Sequence, residues 1–332
     1  MTSTAATDTV SAAKTTRTDG GPETTAARTR RPRASSDEEN NGNARYFLAK
    51  ANGNDGTVAF DREMASEGEA LVEALRLGVT YYPLLRRVLH SGFVTPAQLY
   101  QFMKLDYCAS SRNAFDNRLR RLLAHDLLVR HDIPSMNRGV VYSISRAGAS
   151  ELVGRGEYYS GSTDVGKESN GHVQHALELN DIHLVLKQNR TLVRWTPESD
   201  IRSRNEFTEI GYVKDYDAVV AVRIGEHEHR FALEYERTQK ANGRYQEIQK
   251  RIQAETDVHH FLYLVSNYDL LLFLVKKFEG CRRPVYFGLR QDFLNEGLCL
   301  SVQSNQSPVS ATFLAVLARG LPRPSGWRTS AS

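Results

Sequence analysis

The sequence predicts a mixed α/β protein, α+β overall, in which a basic helical unit ending in a β-hairpin precedes a larger unit with a mixed sheet. Three observations carry this. Between Gly78 and Val153 apolar residues recur at helical spacing in three runs and then in two short strand-like runs. From His172 onward helical and strand patterns interleave. The charge is uneven: Thr80 to Ser150 holds ten Lys or Arg against four Asp, a net +6, whereas the whole chain is +4. A chain of 332 residues has room for about two domains with tails.

In YYPLLRRVLHSGF, Leu84, Leu85, Val88 and Leu89 share a helical face and Gly92 ends the pattern. TPAQLYQFMKL follows, with Thr95 and Gln98 as a capping box, Pro96 at the first helical position, and Leu99, Phe102 and Met103 inward. The third helix is SRNAFDNRLRRLLAH. Its buried stripe is Phe115, Leu119 and Leu122, and its open face carries Asn113, Asn117 and Arg120, residue types that read base edges. LLVR (127–130) and VVYSI (140–144) are then two strands joined by a turn-rich loop carrying Arg138. Helix, helix, helix and hairpin is the winged helix-turn-helix plan, with the third helix in the major groove and the hairpin as wing. Its expected DNA contacts are Arg112, Asn113, Asn117, Arg120, Arg121 and Arg138. Winged helices also serve as protein-binding modules, and a basic helix face also serves solubility.

A polar link leads to HVQHALELNDIHLVLKQN (172–189), a helix with Ala176, Leu179, Ile182 and Leu186 on one face. LVRW is a strand. YDAVVAVRI and RFALEYE are two more, joined by the turn IGEHEH, in which His227 and His229 are expected to be solvated. The helix GRYQEIQKRIQAE, the strand HFLYLVSN, the helix YDLLLFLVKKF and the strand PVYFGLR complete the order α-β-β-β-α-β-α-β. The expected division is a disordered tail over 1–66, the winged helix over 67–155, a linker over 156–171, the second domain over 172–318 and a flexible tail over 319–332. In the first tail the run RTRRPR (Arg28–Arg33) reads either as a DNA-touching arm or as solvated charge.

No apolar run approaches the roughly 20 residues a membrane helix needs, and Met1 to Val10 lacks the apolar core of a secretory signal, so a cytoplasmic location without a membrane partner is expected. Cys108, Cys281 and Cys299 show no CxxC spacing, which leaves reduced structural thiols.

Asp217, Glu234 and Glu236 fall in runs that otherwise read as buried strand. Alternation puts Glu234 and Glu236 on one face of their strand and Phe231, Leu233 and Tyr235 on the other. Pairing of the two strands brings Asp217 near them. Three carboxylates in an apolar layer need compensation, and Mg²⁺ or Mn²⁺ supplies it while activating water for phosphodiester hydrolysis. The alternative is a charged edge strand facing water. Lys240, Arg244 and Lys250 belong to the helical stretch that follows, set either toward a phosphate or toward solvent. His172 and His175 have ligand-compatible spacing that is commoner in surface pairs, and Tyr81, Tyr82, Tyr158 and Tyr159 lack an evident base to make any of them a nucleophile.

Asp on the second strand followed by an acid-x-residue pair on the third looks like the PD-(D/E)XK restriction-endonuclease fold. In that pattern Asp217 and Glu234 match the metal-binding acids and Glu236 stands where the motif has Lys, with Lys240 or Lys250 as a replacement charge. A winged helix followed by this fold, with His175, Leu177, Asn180 and Asp181, then Trp195, Pro197 and Glu198, resembles the plasmid replication-relaxation family, which includes MobC-type conjugative relaxases. The resemblance implies a protein that binds a plasmid origin as double- or single-stranded DNA and nicks it with Asp217, Glu234, Glu236, Lys240 and Lys250, alongside a helicase or coupling protein. The alternative is a non-catalytic DNA-binding factor for plasmid replication or transcription with a degenerate nuclease fold.

Overall fold

The computed structural model describes residues 81–109, 111–133, 139–159 and 170–319. The expected disordered tail, the RTRRPR run, Arg138, most of the linker and residues 320–332 lie outside these residues. Among the described residues there are ten α-helices, a two-stranded hairpin and a seven-stranded mixed sheet.

The N-terminal part contains α1 (Tyr82–Ser91), α2 (Pro96–Leu105), α3 (Arg112–Ala124), β1 (Leu128–Asp132) and β2 (Val140–Ile144). Each helix begins and ends where its residues dictate. Gly92 turns α1 off at φ 64°, a left-handed conformation that glycine adopts without cost. Thr95 and Gln98 form the reciprocal capping box of α2. Ser111 caps α3 by accepting from Ala114 N. The buried side chains Leu84, Leu85, Val88, Leu99, Phe102, Phe115, Leu119 and Leu122 form one core.

Sequence periodicity does not reveal α4 (Arg146–Val153), which follows the hairpin directly. Its residues, RAGASELV, offer only Ala149 and Leu152 as buried apolar groups, too few for a recognisable stripe. Ser145 caps it, and Gly148 lets it lie against the hairpin: a Cβ there would strike the Leu127 carbonyl oxygen and come within 2.8 Å of Ile144 Cδ1.

The larger sheet comprises β3 (Leu192–Pro197), β4 (Ala218–Ile224), β5 (His227–Glu236), β6 (His260–Val265), β7 (Val285–Leu289), β8 (Ser301–Ser304) and β9 (Ser307–Thr312), in that spatial order. The β5–β6 and β6–β7 pairs are parallel and the others antiparallel. Around it lie α5 (Asn170–Gln188), α6 (Glu198–Phe207), α7 (Asn242–Ala254), α8 (Tyr268–Lys277), α9 (Arg290–Glu296) and α10 (Phe313–Ala318). One face is covered by α6, α7 and α8 through Ile201, Tyr245, Ile248, Ile252, Leu270, Leu271 and Leu274. The other is covered by α5, α9 and α10 through Ile182, Leu186, Phe293, Phe313 and Val316.

Four expectations are corrected here. The order gains α6 between β3 and β4, because ESDIRSRNEF buries only Ile201 and so carries no apolar stripe. It also gains α9, β8, β9 and α10 after the expected last strand, where short runs around the Asn305–Gln306 turn obscured the pattern. The β4–β5 turn is only Gly225–Glu226, so His227 and His229 are in strand β5. Finally, α5 is not one-sided. Ile182 and Leu186 face the sheet, whereas Leu184 joins the core of the N-terminal helices and Val173 and Leu177 pack on Phe93 and Val141.

Polar contacts reinforce the double seat of α5. Asn180 Nδ2 donates to Phe93 O at 2.7 Å, Gln98 Nε2 donates to Leu177 O at 2.8 Å, and Asp181 accepts from Gln98 Nε2 at 2.6 Å and Arg290 Nη2 at 2.8 Å. His183 is buried, stacked on Trp195 at 4.1 Å and edged by Phe102. Burial holds its imidazole neutral, well below its ordinary range. Among the described residues no helix is long and apolar enough to cross a membrane.

Candidate functional site

Two regions gather the chemistry. The first is the solvent face of α3. Burial of Phe115, Leu119 and Leu122 forces Arg112, Asn113, Asn117, Arg120 and Arg121 outward, and all five are exposed. Arg120 Nη2 donates to Asn117 Oδ1 at 2.6 Å. Arg112 pairs with Asp116 at 3.0 Å, and Arg121 Nη1 donates to Tyr81 Oη at 3.2 Å. Not every cation of this unit is available. Arg87 is half-buried against Asp106 and Phe102, and Arg118 Nη1 is committed to Cys108 O at 2.7 Å.

The second region is where β4 begins and β5 ends. Glu234 and Glu236 are buried in a strand flanked by β4 and β6, so they do not belong to a wet edge strand. Asp217 immediately precedes β4 instead of lying within it, because the strand pairing begins at Ala218 opposite Leu233. There its Oδ2 accepts the Tyr235 N–H at 2.7 Å and lies 3.4 Å from His175 Nε2.

Each acid has a cation of the chain beside it. Lys214 pairs with Glu234, with both side chains at most 10% exposed. Lys240 Nζ is 2.7 Å from Glu236. His175 partners Asp217. These pairs set the proton affinities. Burial pushes Glu234 up to about 7 against the pull of Lys214, and burial likewise raises Glu236 against the pull of Lys240. Burial also works against ionised Asp217, but the His175 contact, Lys214 and the Tyr235 N–H outweigh it and hold this carboxyl below its ordinary range. Burial opposes a charged His175 too, yet Asp217 lifts it to about 9.

In this structure cations of the chain itself stand beside the three acids. The chemistry of three carboxylates suits a hard divalent cation, but ammonium and imidazolium groups already balance their charges. Among the described residues no group of three His, Cys, Asp or Glu side chains is arranged to hold a metal ion. Protein-family models, curated proteins and solved structures all give no match to this chain.

Of the expected site residues, Asp217, Glu234, Glu236 and Lys240 come together. Lys240 acts from the segment before α7 and not from the helix itself. Lys250 does not join them; it sits on the exposed side of α7, since Ile248 and Ile252 claim the buried side. Glu198 starts α6, where Arg202 pairs with it. Tyr82 donates to Glu157 at 2.5 Å and Tyr158 to Glu206 at 2.5 Å, while Tyr81 is buried. Sequence reasoning missed Lys214. Its spacing, three residues before Asp217 in KDYD, is the one signal that was available, and no periodicity extends into that loop.

Proposed function

We propose that this protein binds duplex DNA at a plasmid or mobile-element origin through α3, and that its acid cluster is an ion-paired scaffold and not a working metal centre. In this reading α1, α2, α3 and the β1–β2 hairpin form a winged helix-turn-helix, and the seven-stranded sheet is a restriction-endonuclease-like fold with a degenerate site. The observation that carries the reading is the face of α3, where Asn113, Asn117 and Arg120 stand exposed beside further cations while the opposite stripe is buried. Asn matches an adenine edge in the major groove with one donor and one acceptor, and Arg matches a guanine edge with two donors. The origin as target follows from the sequence resemblance alone.

The test is selection of preferred sequences from a random duplex pool, followed by affinity measurements. Arg120→Ala and Asn117→Ala are expected to weaken the selected site by about tenfold each and to relax preference at single positions. Unchanged affinity and preference in both variants would sink the assignment of α3.

Strand nicking is the second reading, favoured by the convergence of Asp217, Glu234 and Glu236 with Lys240. Incubating supercoiled origin plasmid with Mg²⁺ or Mn²⁺ decides it. Relaxed circles from the wild type but not from Asp217→Ala would establish cleavage, and binding without relaxation leaves the non-catalytic reading standing.

A further inference from the structure

We propose that Tyr107 is a phosphate-contacting residue of the DNA site, clamping the backbone beside the groove that α3 enters. The inference rests on the DNA-binding reading and adds a residue that the sequence pattern does not single out. Tyr107 lies in the connection between α2 and α3, where helix-turn-helix turns often use glycine because one residue must adopt a left-handed backbone. Here that residue is a tyrosine at φ 58°, and its side chain is 93% exposed. Both features are unfavourable by themselves. A bulky residue resists positive φ, and the ring gains nothing from burial.

The turn around it is tied down on both sides. Tyr107 N donates to Lys104 O at 3.1 Å, and Cys108 N donates to Met103 O at 2.8 Å. Arg118 holds Cys108 O from α3, while Asp106 is held by Arg87 and Lys187. The Tyr107 side chain thus projects into solvent from an anchored backbone. Gln101 and Lys104 at the end of α2 and Arg112 at the start of α3 are exposed near it in the chain. A phenol O–H donates well to a phosphate oxygen, and a preset turn loses little freedom when it docks.

The experiment measures anisotropy of a fluorescein-labelled random-sequence duplex with wild type, Tyr107→Gly, Tyr107→Phe and the double variant Arg120→Ala/Arg121→Ala, together with thermal melting of each protein. Tyr107→Gly is expected to melt roughly 2–4 °C higher, because the turn is relieved, and to bind about tenfold more weakly through loss of one charge-assisted hydrogen bond. Tyr107→Phe should lose a similar factor. Wild-type affinity in Tyr107→Phe would overturn hydroxyl donation. Wild-type affinity in Tyr107→Gly, with the arginine double variant weakened, would overturn the inference and leave the DNA reading intact. Loss of binding in Tyr107→Gly accompanied by a lower melting temperature would mark the residue as structural and overturn the inference as well. Failure of the wild type to bind any duplex would remove both.

Discussion

Replacing Lys214 with Met removes the ammonium group that balances Glu234 in a layer where both side chains are at most 10% exposed. Breaking one partner of a buried pair leaves a carboxylate without compensation, which costs about 3 kcal/mol or more when the acid must be ionised. The cost depends on pH in a defined direction. Burial already raises Glu234 from 4.5 to about 7 in the folded protein with Lys214 opposing, so removing Lys214 raises it further. A raised folded-state value means a contribution fully present below about 4.5 and lost as pH climbs through the folded value. At pH 5.5 the variant buries a neutral acid and is expected to trail wild type by about 1 kcal/mol, the worth of the lost hydrogen bond. At pH 8, one unit above the wild-type folded value, the deficit should widen to about 2 kcal/mol. Urea unfolding at the two pH values measures both. The double variant Lys214→Met/Glu234→Gln, with no charge left to balance, should return to within about 1 kcal/mol of wild type at pH 8. The same deficit at both pH values, or a double variant no better than Lys214→Met, would refute this account of the acid cluster.

The His175–Asp217 contact titrates at higher pH. The rise of His175 from 6.5 to about 9 makes its stabilising contribution complete below about pH 6.5 and lost as pH rises through 9. Its ceiling is about 3 kcal/mol, and His175→Gln should flatten the stability-versus-pH curve over that window; an unchanged slope in chemical denaturation would count against the pair. Gly148→Ala drives a methyl group into the Leu127 carbonyl and the Ile144 side chain. It is expected to cost about 1–3 kcal/mol, read as a lowered urea midpoint, and a neutral result would mean α4 can shift away from the hairpin.

The parts of this structure that were legible in the sequence are those with strong local signals. The capping box at Thr95 and Gln98, the Gly92 stop and the apolar stripe of α3 each act within one turn of helix, so spacing alone reveals them. Helices with few buried residues escaped, as α6 did with Ile201 as its single buried side chain. Helix α5 misled for the opposite reason. It is buried on two sides, which blurs the one-sided stripe that periodicity detects. At the acid cluster, strand alternation placed Glu234 and Glu236 correctly. Their partners were not readable, because Lys214 and Lys240 come from irregular segments and His175 from a helix about 40 residues before Asp217.

The double seat of α5 bears on how far the unit proposed to read DNA can be transplanted. Phe93 and Val141 are covered by Val173 and Leu177, and Leu184 completes the core under α1 to α4. A fragment ending before Asn170 would leave these surfaces wet and the Phe93 carbonyl without its Asn180 partner. Any chimera that transplants α1–α4 must therefore carry α5 along with them, and with α5 comes the floor of the seven-stranded sheet. Under the proposed DNA-binding reading, a new specificity is more readily obtained by rewriting the outward residues of α3 in place.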